Sequence, residues 1–150
     1  MQIVQVDHNI DLKDELLDFM CGKRLGVGVY RTVYEFNFNR QFVIKVADET
    51  TGRAENLLEL RVWREIYQSP AEKWFAEVLE VSCAGQFLIQ RKVEQLPKSQ
   101  YPKEIPAFFT DTKYSNFGWI EGKGFVCCDF GSFNLFRGIS VKMKKASWWE

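Results

Sequence analysis

Two short polar motifs in the second half of the chain constrain its fold more than any other feature. Asp111, Lys113 and Asn116 follow the pattern Asp-x-Lys-x-x-Asn, and Asp129 comes thirteen residues after Asn116 at the head of Asp-Phe-Gly. Residues 117–128 between them have the pattern of two short strands joined by a glycine-containing turn. A hairpin of this length is expected to bring Asn116 and Asp129 side by side at its open end.

These four side chains are of the types that phosphoryl transfer requires, because that reaction asks a protein mainly to position charge. Asp111 is expected to meet the attacking hydroxyl group, and Lys113 to balance charge on the moving phosphate. Asn116 and Asp129 are expected to hold magnesium against a nucleotide. Each motif alone occurs by chance in many proteins, so the order and spacing of the two together carry the interpretation.

Two upstream segments supply further candidates for a phosphate site. Gly26 and Gly28 lie in a predicted turn between two strands, where the missing Cβ lets backbone N–H groups approach phosphates. An ordinary hairpin turn is the alternative. Lys45 is the one charged residue in the apolar strand over residues 42–46, and it needs a carboxylate or phosphate partner if it is buried. An edge-strand lysine that points to water is the alternative here.

A helix predicted over residues 52–67 offers the carboxylate partner for Lys45. Leu58, Val62 and Ile66 mark its expected core face. The candidate carboxylates are Glu55, Glu59 and Glu65. We choose Glu59, because its spacing from Val62 places it at the inward edge of the apolar stripe.

The segment before these motifs, residues 1–21, is expected to be an accessory element. Residues 1–7 predict a short strand, and Asp11 is the expected N-cap of a helix that runs to Met20. His8, the one histidine of the chain, has no partner cluster and is assigned no role.

The segments after the predicted helix favour more strands and then an irregular connector. Residues 75–83 and 86–91 predict a second hairpin. Residues 93–106 contain three prolines and predict a connector rather than a helix. We therefore expect a first lobe over residues 22–92 and a second over residues 93–150.

Composition narrows the class of protein. A chain of 150 residues that is 46% hydrophobic is long enough for one domain with a core. Twenty basic and twenty acidic residues cancel, so no nucleic-acid partner is expected. No apolar run reaches the length of a membrane span and no signal sequence is recognisable, so a cytoplasmic protein of the producing cell or of a host is expected. The four cysteines form no Cys-x-x-Cys pair and are expected to be free thiols.

With these motifs in one order, the sequence resembles the protein-kinase-like superfamily over about residues 22–133. The resemblance implies an α+β fold with a kinase-like amino-terminal lobe, made of an antiparallel sheet plus a helix. It implies ATP and Mg²⁺ as cofactors, with Mn²⁺ as the alternative metal. It also implies that Gly26 and Gly28 cover the phosphates, and that Lys45 contacts them while it pairs with Glu59.

The resemblance further implies an adenine-binding hinge in the backbone of residues 89–92, but the chain departs from the family pattern at several points. Arg31 stands in place of the third glycine, and Phe109-Thr110 replaces the usual His-Arg. Regulation by activation-loop phosphorylation is therefore not expected. About twenty residues separate the hinge from Asp111, too few for the helices of a full second lobe. A minimal kinase with a strongly reduced carboxyl-terminal lobe is predicted.

The resemblance favours a Mg²⁺-ATP-dependent phosphotransferase, specifically a Ser/Thr protein kinase that acts on a folded protein. Two alternatives stay open. A kinase-like protein that binds a nucleotide or a partner without catalysis would suit the missing lobe. A small-molecule kinase would share the core, although such enzymes use added helices to shape a substrate pocket.

The second half is unusually rich in aromatic residues for its length. These residues are Phe108, Phe109, Trp119, Phe125, Phe133, Phe136, Trp148 and Trp149. A rigid floor beneath Asp111 and Asn116 must come from the connector, the hairpin and the tail. The aromatic residues either pack into that floor or form an exposed patch. We expect the patch, and with it self-association or docking onto a protein substrate.

Overall fold

The computed structural model of the chain describes residues 12–134 and 138–150. The predicted strand over residues 1–7, the Asp11 cap, His8 and Phe136 lie outside the described residues.

A five-stranded antiparallel sheet forms the first half of the chain. Its strands are β1 (Cys21–Val27), β2 (Arg31–Phe36), β3 (Phe42–Ala47), β4 (Val78–Val81) and β5 (Phe87–Arg91). They lie in the order β1-β2-β3-β5-β4, so β5 inserts between β3 and β4. The register places Val33 and Leu88 opposite Lys45 on the two neighbouring strands. Cross-strand partners share a face, so these residues point to the same side of the sheet.

One helix covers each face of this sheet. Helix α1 (Leu12–Met20) packs on the face opposite to that of Lys45, where Met20 joins a buried cluster with Ile44 and Ile89. Helix α2 (Thr50–Ile66) packs on the face of Lys45. Neither α1 nor α2, nor any other helix in the described ranges, has the length and apolar character needed to cross a bilayer.

Helix α2 is buried along a stripe that differs from the predicted one. Its buried residues recur every three or four positions: Gly52, Asn56, Glu59, Val62, Trp63 and Ile66. Val62 and Ile66 confirm the prediction, but Leu58 is 43% exposed, so its assignment to the core face was wrong. The reason is that two polar residues, Asn56 and Glu59, take inward positions where charged partners compensate them. Apolar spacing alone does not reveal such a face.

The second half contains hairpins and turns instead of a helical lobe. Its strands are β6 (Glu104–Pro106), β7 (Phe117–Ile120), β8 (Gly124–Cys127) and β9 (Met143–Lys145). β7 pairs with β8, as predicted, and β6 pairs with β9 of the tail. After residue 92, the described residues form only two short 3-10 helices and no α-helix. The predicted kinase-like first lobe with a strongly reduced second lobe is confirmed.

Most of the aromatic residues of this set pack in or against the main hydrophobic core. Phe108 and Phe109 are buried in the main core, and Phe125, Phe133 and Trp148 pack against it. The expected exposed patch is therefore wrong for these five residues. Among the described members of the set, exposure is confined to two tryptophans, Trp119 and Trp149.

Trp148 shows how the tail of the chain buries aromatic side chains of the second half. Its ring lies 5.0 Å from that of Tyr101 and 5.0 Å from that of Phe117, measured between centroids. Its indole N–H donates to the backbone oxygen of Pro102 over 2.9 Å. The tail thus packs across the connector and covers one side of the core. As expected, the floor is built from the connector, the hairpin and the tail.

The four cysteines are free thiols. Burial raises the pKa of Cys128 to about 12 and that of Cys127 well above its usual range. Both thiols therefore stay protonated at neutral pH and are poor nucleophiles.

Candidate active site

Lys45 and Glu59 form a buried ion pair between β3 and α2. The Lys45 Nζ lies 3.0 Å from Glu59 Oε2 and 3.2 Å from Oε1. This contact confirms the predicted pairing and the choice of Glu59 as the partner. Burial acts to raise the pKa of Glu59, but the charges of Lys45 and Arg31 outweigh it and lower that pKa to about 2. The carboxylate is therefore ionised at neutral pH.

Arg31, the first residue of β2, extends this pair into a larger charge network. One terminal nitrogen of its guanidinium donates to Glu59 Oε1 over 2.8 Å and to Asp129 Oδ1 over 2.9 Å. The other donates to Asn56 Oδ1 over 3.1 Å, and Nε lies 3.3 Å from Glu55 Oε2. The Arg31 side chain is only 6% exposed. The sheet, the helix and the Asp-Phe-Gly motif therefore meet at one side chain.

Arg31 is not among the predicted site residues, because in the sequence it is only a departure from a glycine pattern, but its position in β2 indicates that it faces the site. Arg31 stands two residues before Val33, which pairs with Lys45. Alternate residues of a strand share a face, so Arg31 must point to the same side of the sheet as Lys45.

The β7–β8 hairpin brings Asn116 and Asp129 together, as predicted. The backbone oxygen of Asn116 accepts hydrogen bonds from the N–H groups of Cys128, at 2.7 Å, and Asp129, at 3.3 Å. The side-chain Nδ2 of Asn116 donates to Asp111 Oδ2 over 3.0 Å. Because Nδ2 is engaged with Asp111, the amide is oriented so that Oδ1 is left as an acceptor or metal ligand.

This donor set fits a magnesium ion. Asn116 Oδ1 and the Asp129 carboxylate are hard oxygen ligands, and the Asp129 side chain is 50% exposed. Within residues 12–134 and 138–150, no group of three or more His, Cys, Asp or Glu side chains could hold a metal by itself. A metal there would need phosphate and water oxygens as further ligands, which is the usual situation for magnesium. Partial burial and the negative charge of Glu59 raise the pKa of Asp129 despite the opposing charges of Lys45 and Arg31.

Lys113 lies beside the tail of the chain. Its Nζ is 5.6 Å from the ring centroid of Trp149, and its backbone N–H donates to Asp111 Oδ1 over 3.3 Å. Backbone hydrogen bonds from Tyr114 to Trp149, at 2.8 Å, and from Trp149 to Thr112, at 3.2 Å, hold this part of the loop. The role of Lys113 toward a moving phosphate stays a prediction.

Only one of the two glycines predicted in the first turn lies there, because Gly26 belongs to β1 and pairs with Val33, whereas Gly28 follows the strand. The Gly28 N–H donates to the Arg31 backbone oxygen over 2.7 Å, so this amide is used within the turn. A Cβ atom added at Gly26 would meet no atom within 4 Å. Both neighbouring valines, Val27 and Val29, are exposed. The end of β1 is thus open around Gly26, and the role of the two glycines over phosphates stays a prediction.

In the predicted hinge over residues 89–92, two backbone N–H groups are already in use. The N–H of Arg91 donates to the backbone oxygen of Glu77, and that of Lys92 donates to the backbone oxygen of Gln41, each over 2.8 Å. Base contact by the other backbone groups of this segment stays a prediction. Gln90 in the same segment is fully buried, and neither atom of its amide has a hydrogen-bond partner among the described residues.

The sequence matches no protein-family model and no curated protein sequence. Similar solved structures include three of aminoglycoside phosphotransferases. A gentamicin complex of APH(2'')-IIa has a TM-score of 0.46 and 22% identity, over 66% of this chain and 33% of that one. A streptomycin and ATP complex of APH(2'')-IIa has a TM-score of 0.45 and 19% identity, over 63% and 31%. ADP-bound APH(2'')-Ib has a TM-score of 0.45 and 22% identity, over 64% and 32%.

This chain spans about a third of the length of those enzymes. The fold itself is evident from the chain's own architecture. A five-stranded antiparallel sheet carries Lys45, one helix carries Glu59, and a following hairpin joins Asn116 to Asp129. The chain therefore has the fold of a protein-kinase-like amino-terminal lobe followed by a strongly reduced carboxyl-terminal lobe.

Proposed function

We propose that the chain is a Mg²⁺-ATP-dependent phosphotransferase that acts on a hydroxyl group, and that this hydroxyl belongs to a Ser or Thr of a folded protein. The observation that carries the proposal is a continuous line of contacts. The Lys45 ammonium donates to the backbone oxygen of Cys128, whose N–H donates to Asn116, whose amide donates to Asp111. Side chains from two distant parts of the chain thus meet in an arrangement suited to phosphoryl transfer.

Each residue has a distinct role in the proposed reaction. Asn116 and Asp129 would hold a magnesium ion, which would neutralise charge on the phosphate oxygens. Lys45 contacts the nucleotide phosphates while Glu59 holds its ammonium in place. Asp111 accepts the proton of the substrate hydroxyl as that oxygen forms its bond to the γ-phosphorus.

The bond from the γ-phosphorus to the bridging oxygen breaks in the same step, and ADP leaves with the electron pair. Lys113 balances the charge on the transferred group. For Lys113 to do so, its ammonium has to leave the ring of Trp149.

An exposed aromatic side chain beside Lys113 supports a protein as the substrate. Trp149 is 49% exposed and lies against Lys113, so it offers an aromatic contact next to the catalytic loop. The exposed ring of Trp149 would also be available for self-association. Light scattering at several protein concentrations tests this.

A binding protein without catalysis is the second candidate, and one observation favours it. All three donors of the Lys45 ammonium are engaged by protein oxygens, two from Glu59 and one from Cys128. Phosphate contact by Lys45 therefore requires an exchange of partners.

Transfer of label from γ-labelled ATP tests the proposal. The protein is incubated with MgCl₂ and labelled ATP, together with either a dialysed cell lysate or the small-molecule filtrate of that lysate. We expect label on a protein band with the wild type and with Asp18→Asn, which changes an exposed carboxylate of α1, and no transfer with Asp111→Asn. ATP binding without transfer would establish the binding-protein alternative. Label found only in the filtrate would identify a small-molecule kinase.

A further inference from the structure

Arg31 occupies a position in the site that the roles assigned above do not use. Among the described residues, it alone forms ion pairs with both Glu59, the partner of Lys45, and Asp129, a proposed metal ligand. We propose that Arg31 is a second phosphate-binding residue, and that Asp129 holds it until a metal ion takes that carboxylate. This inference rests on the proposed function.

The number of N–H groups that Lys45 and Arg31 have available leads to this assignment. Lys45 has three N–H donors, and Glu59 and the Cys128 carbonyl engage all of them. The Arg31 nitrogen that contacts Asp129 has two N–H donors, one for Glu59 and one for Asp129. If Asp129 binds a metal ion instead of Arg31, the second N–H of this Arg31 nitrogen becomes free to bind a phosphate oxygen. The contacts of Lys45 do not have to change.

The surroundings of Arg31 decide which of its contacts exchanges. Glu59 and Asn56 are fully buried, so their hydrogen bonds anchor the guanidinium. The Asp129 side chain is half exposed, so its contact with Arg31 is the one that can exchange. The donor released there is the one beside the carboxylate proposed to hold the metal. A guanidinium is a strong partner for phosphate oxygens because it is planar and permanently charged.

Removing the positive charge of Arg31 provides a test of the inference. Counted as formal charges, Arg31 and Lys45 contribute two positive charges, and Glu55, Glu59 and Asp129 contribute three negative charges. A neutral residue at position 31 makes the site more negative by one unit. The added negative charge strengthens the binding of a bare divalent cation and weakens the binding of phosphate groups. A residue with a purely structural role would weaken the binding of both.

Two binding measurements separate these cases. The first titrates the protein with MnCl₂ alone and follows free Mn²⁺ by electron paramagnetic resonance. The second measures ATP binding by calorimetry in excess MgCl₂. We expect Arg31→Met to bind Mn²⁺ about tenfold more tightly and ATP about tenfold more weakly than the wild type, the size of one charged hydrogen bond. Arg40→Met removes an exposed arginine that pairs with Glu35, and it is expected to change neither affinity.

The outcomes are distinct. If Arg31→Met does not fold, Arg31→Gln keeps a polar side chain without the charge and takes its place. Weaker binding of both Mn²⁺ and ATP overturns the inference. Equal ATP affinity of wild type and variant overturns it as well and leaves the proposed function intact. A wild-type protein that binds no ATP overturns the proposed function and this inference with it.

Discussion

The Asn116 side-chain amide donates a hydrogen bond to the Asp111 carboxylate over 3.0 Å. The same residue accepts the backbone N–H groups of Cys128 and Asp129. Asn116 therefore links the proposed catalytic base to the proposed metal ligand.

This linkage predicts different defects for two neighbouring substitutions. Asn116→Ala removes a metal ligand and the contact that orients Asp111, so it should raise the MgCl₂ concentration needed for half-maximal ATP binding. Asp111→Asn keeps both metal ligands, so it should leave that concentration unchanged and slow transfer by about 10²- to 10⁴-fold. Calorimetric titrations with ATP at a series of MgCl₂ concentrations measure the first effect. A loss of ATP binding in Asp111→Asn would contradict the assigned roles.

Acid should destabilise the fold through Glu59. Its pKa is lowered from 4.5 to about 2 in the folded chain, so the ionised form stabilises the fold above pH 4.5. That contribution is lost as the pH falls from about 4.5 to about 2, and its size is on the order of 3 kcal/mol. Urea unfolding of the wild type and of Glu59→Gln over this pH range measures it.

Glu59→Gln should be less stable at pH 7, because it leaves Lys45 and Arg31 buried without their shared anion. Its stability should fall less steeply between pH 4.5 and pH 2. Parallel curves for the two proteins would show that other carboxylates govern the acid transition.

Two adjacent tryptophans in the tail should differ sharply in their effect on stability. Trp148→Ala removes a ring packed against Tyr101 and Phe117 and should lower the free energy of unfolding by about 3 kcal/mol. Trp149→Ala removes an exposed ring and a contact with Lys113, and should cost about 1 kcal/mol or less. Chemical unfolding of the two variants tests the difference. Equal losses would mean that Trp148 is not the residue that closes the core.

Two glycine substitutions should separate binding from folding. A Cβ atom at Gly26 meets nothing within 4 Å, so Gly26→Ala should leave the melting temperature unchanged. It should weaken ATP binding if this turn covers the phosphates. A Cβ atom at Gly118 would lie 2.7 Å from the backbone oxygen of Glu94, so Gly118→Ala should displace β7 and lower the melting temperature. Thermal unfolding and calorimetry on both variants provide the test. Unchanged ATP affinity in Gly26→Ala would remove the turn from the proposed site.

Local chemistry is what made the Asp111, Asn116 and Asp129 arrangement predictable. Residues 117–128 form a hairpin because of their own strand and turn preferences, so the spacing of the two motifs alone places Asn116 beside Asp129. The Lys45 and Glu59 pair was predictable for a related reason, since a buried lysine needs a carboxylate and the next helix offers few.

Tertiary structure decided the contacts that join distant parts of the chain. Arg31 and Asp129 are 98 residues apart, and no local pattern specifies that a guanidinium will reach that carboxylate. The same holds for Trp148, which finds the connector 46 residues upstream, and for Leu58, whose apolar side chain stays exposed while the charged Glu59 is buried. Sequence periodicity reports the average polarity of a face. Whether a charge can be buried there depends on partners that arrive only when the whole chain has folded.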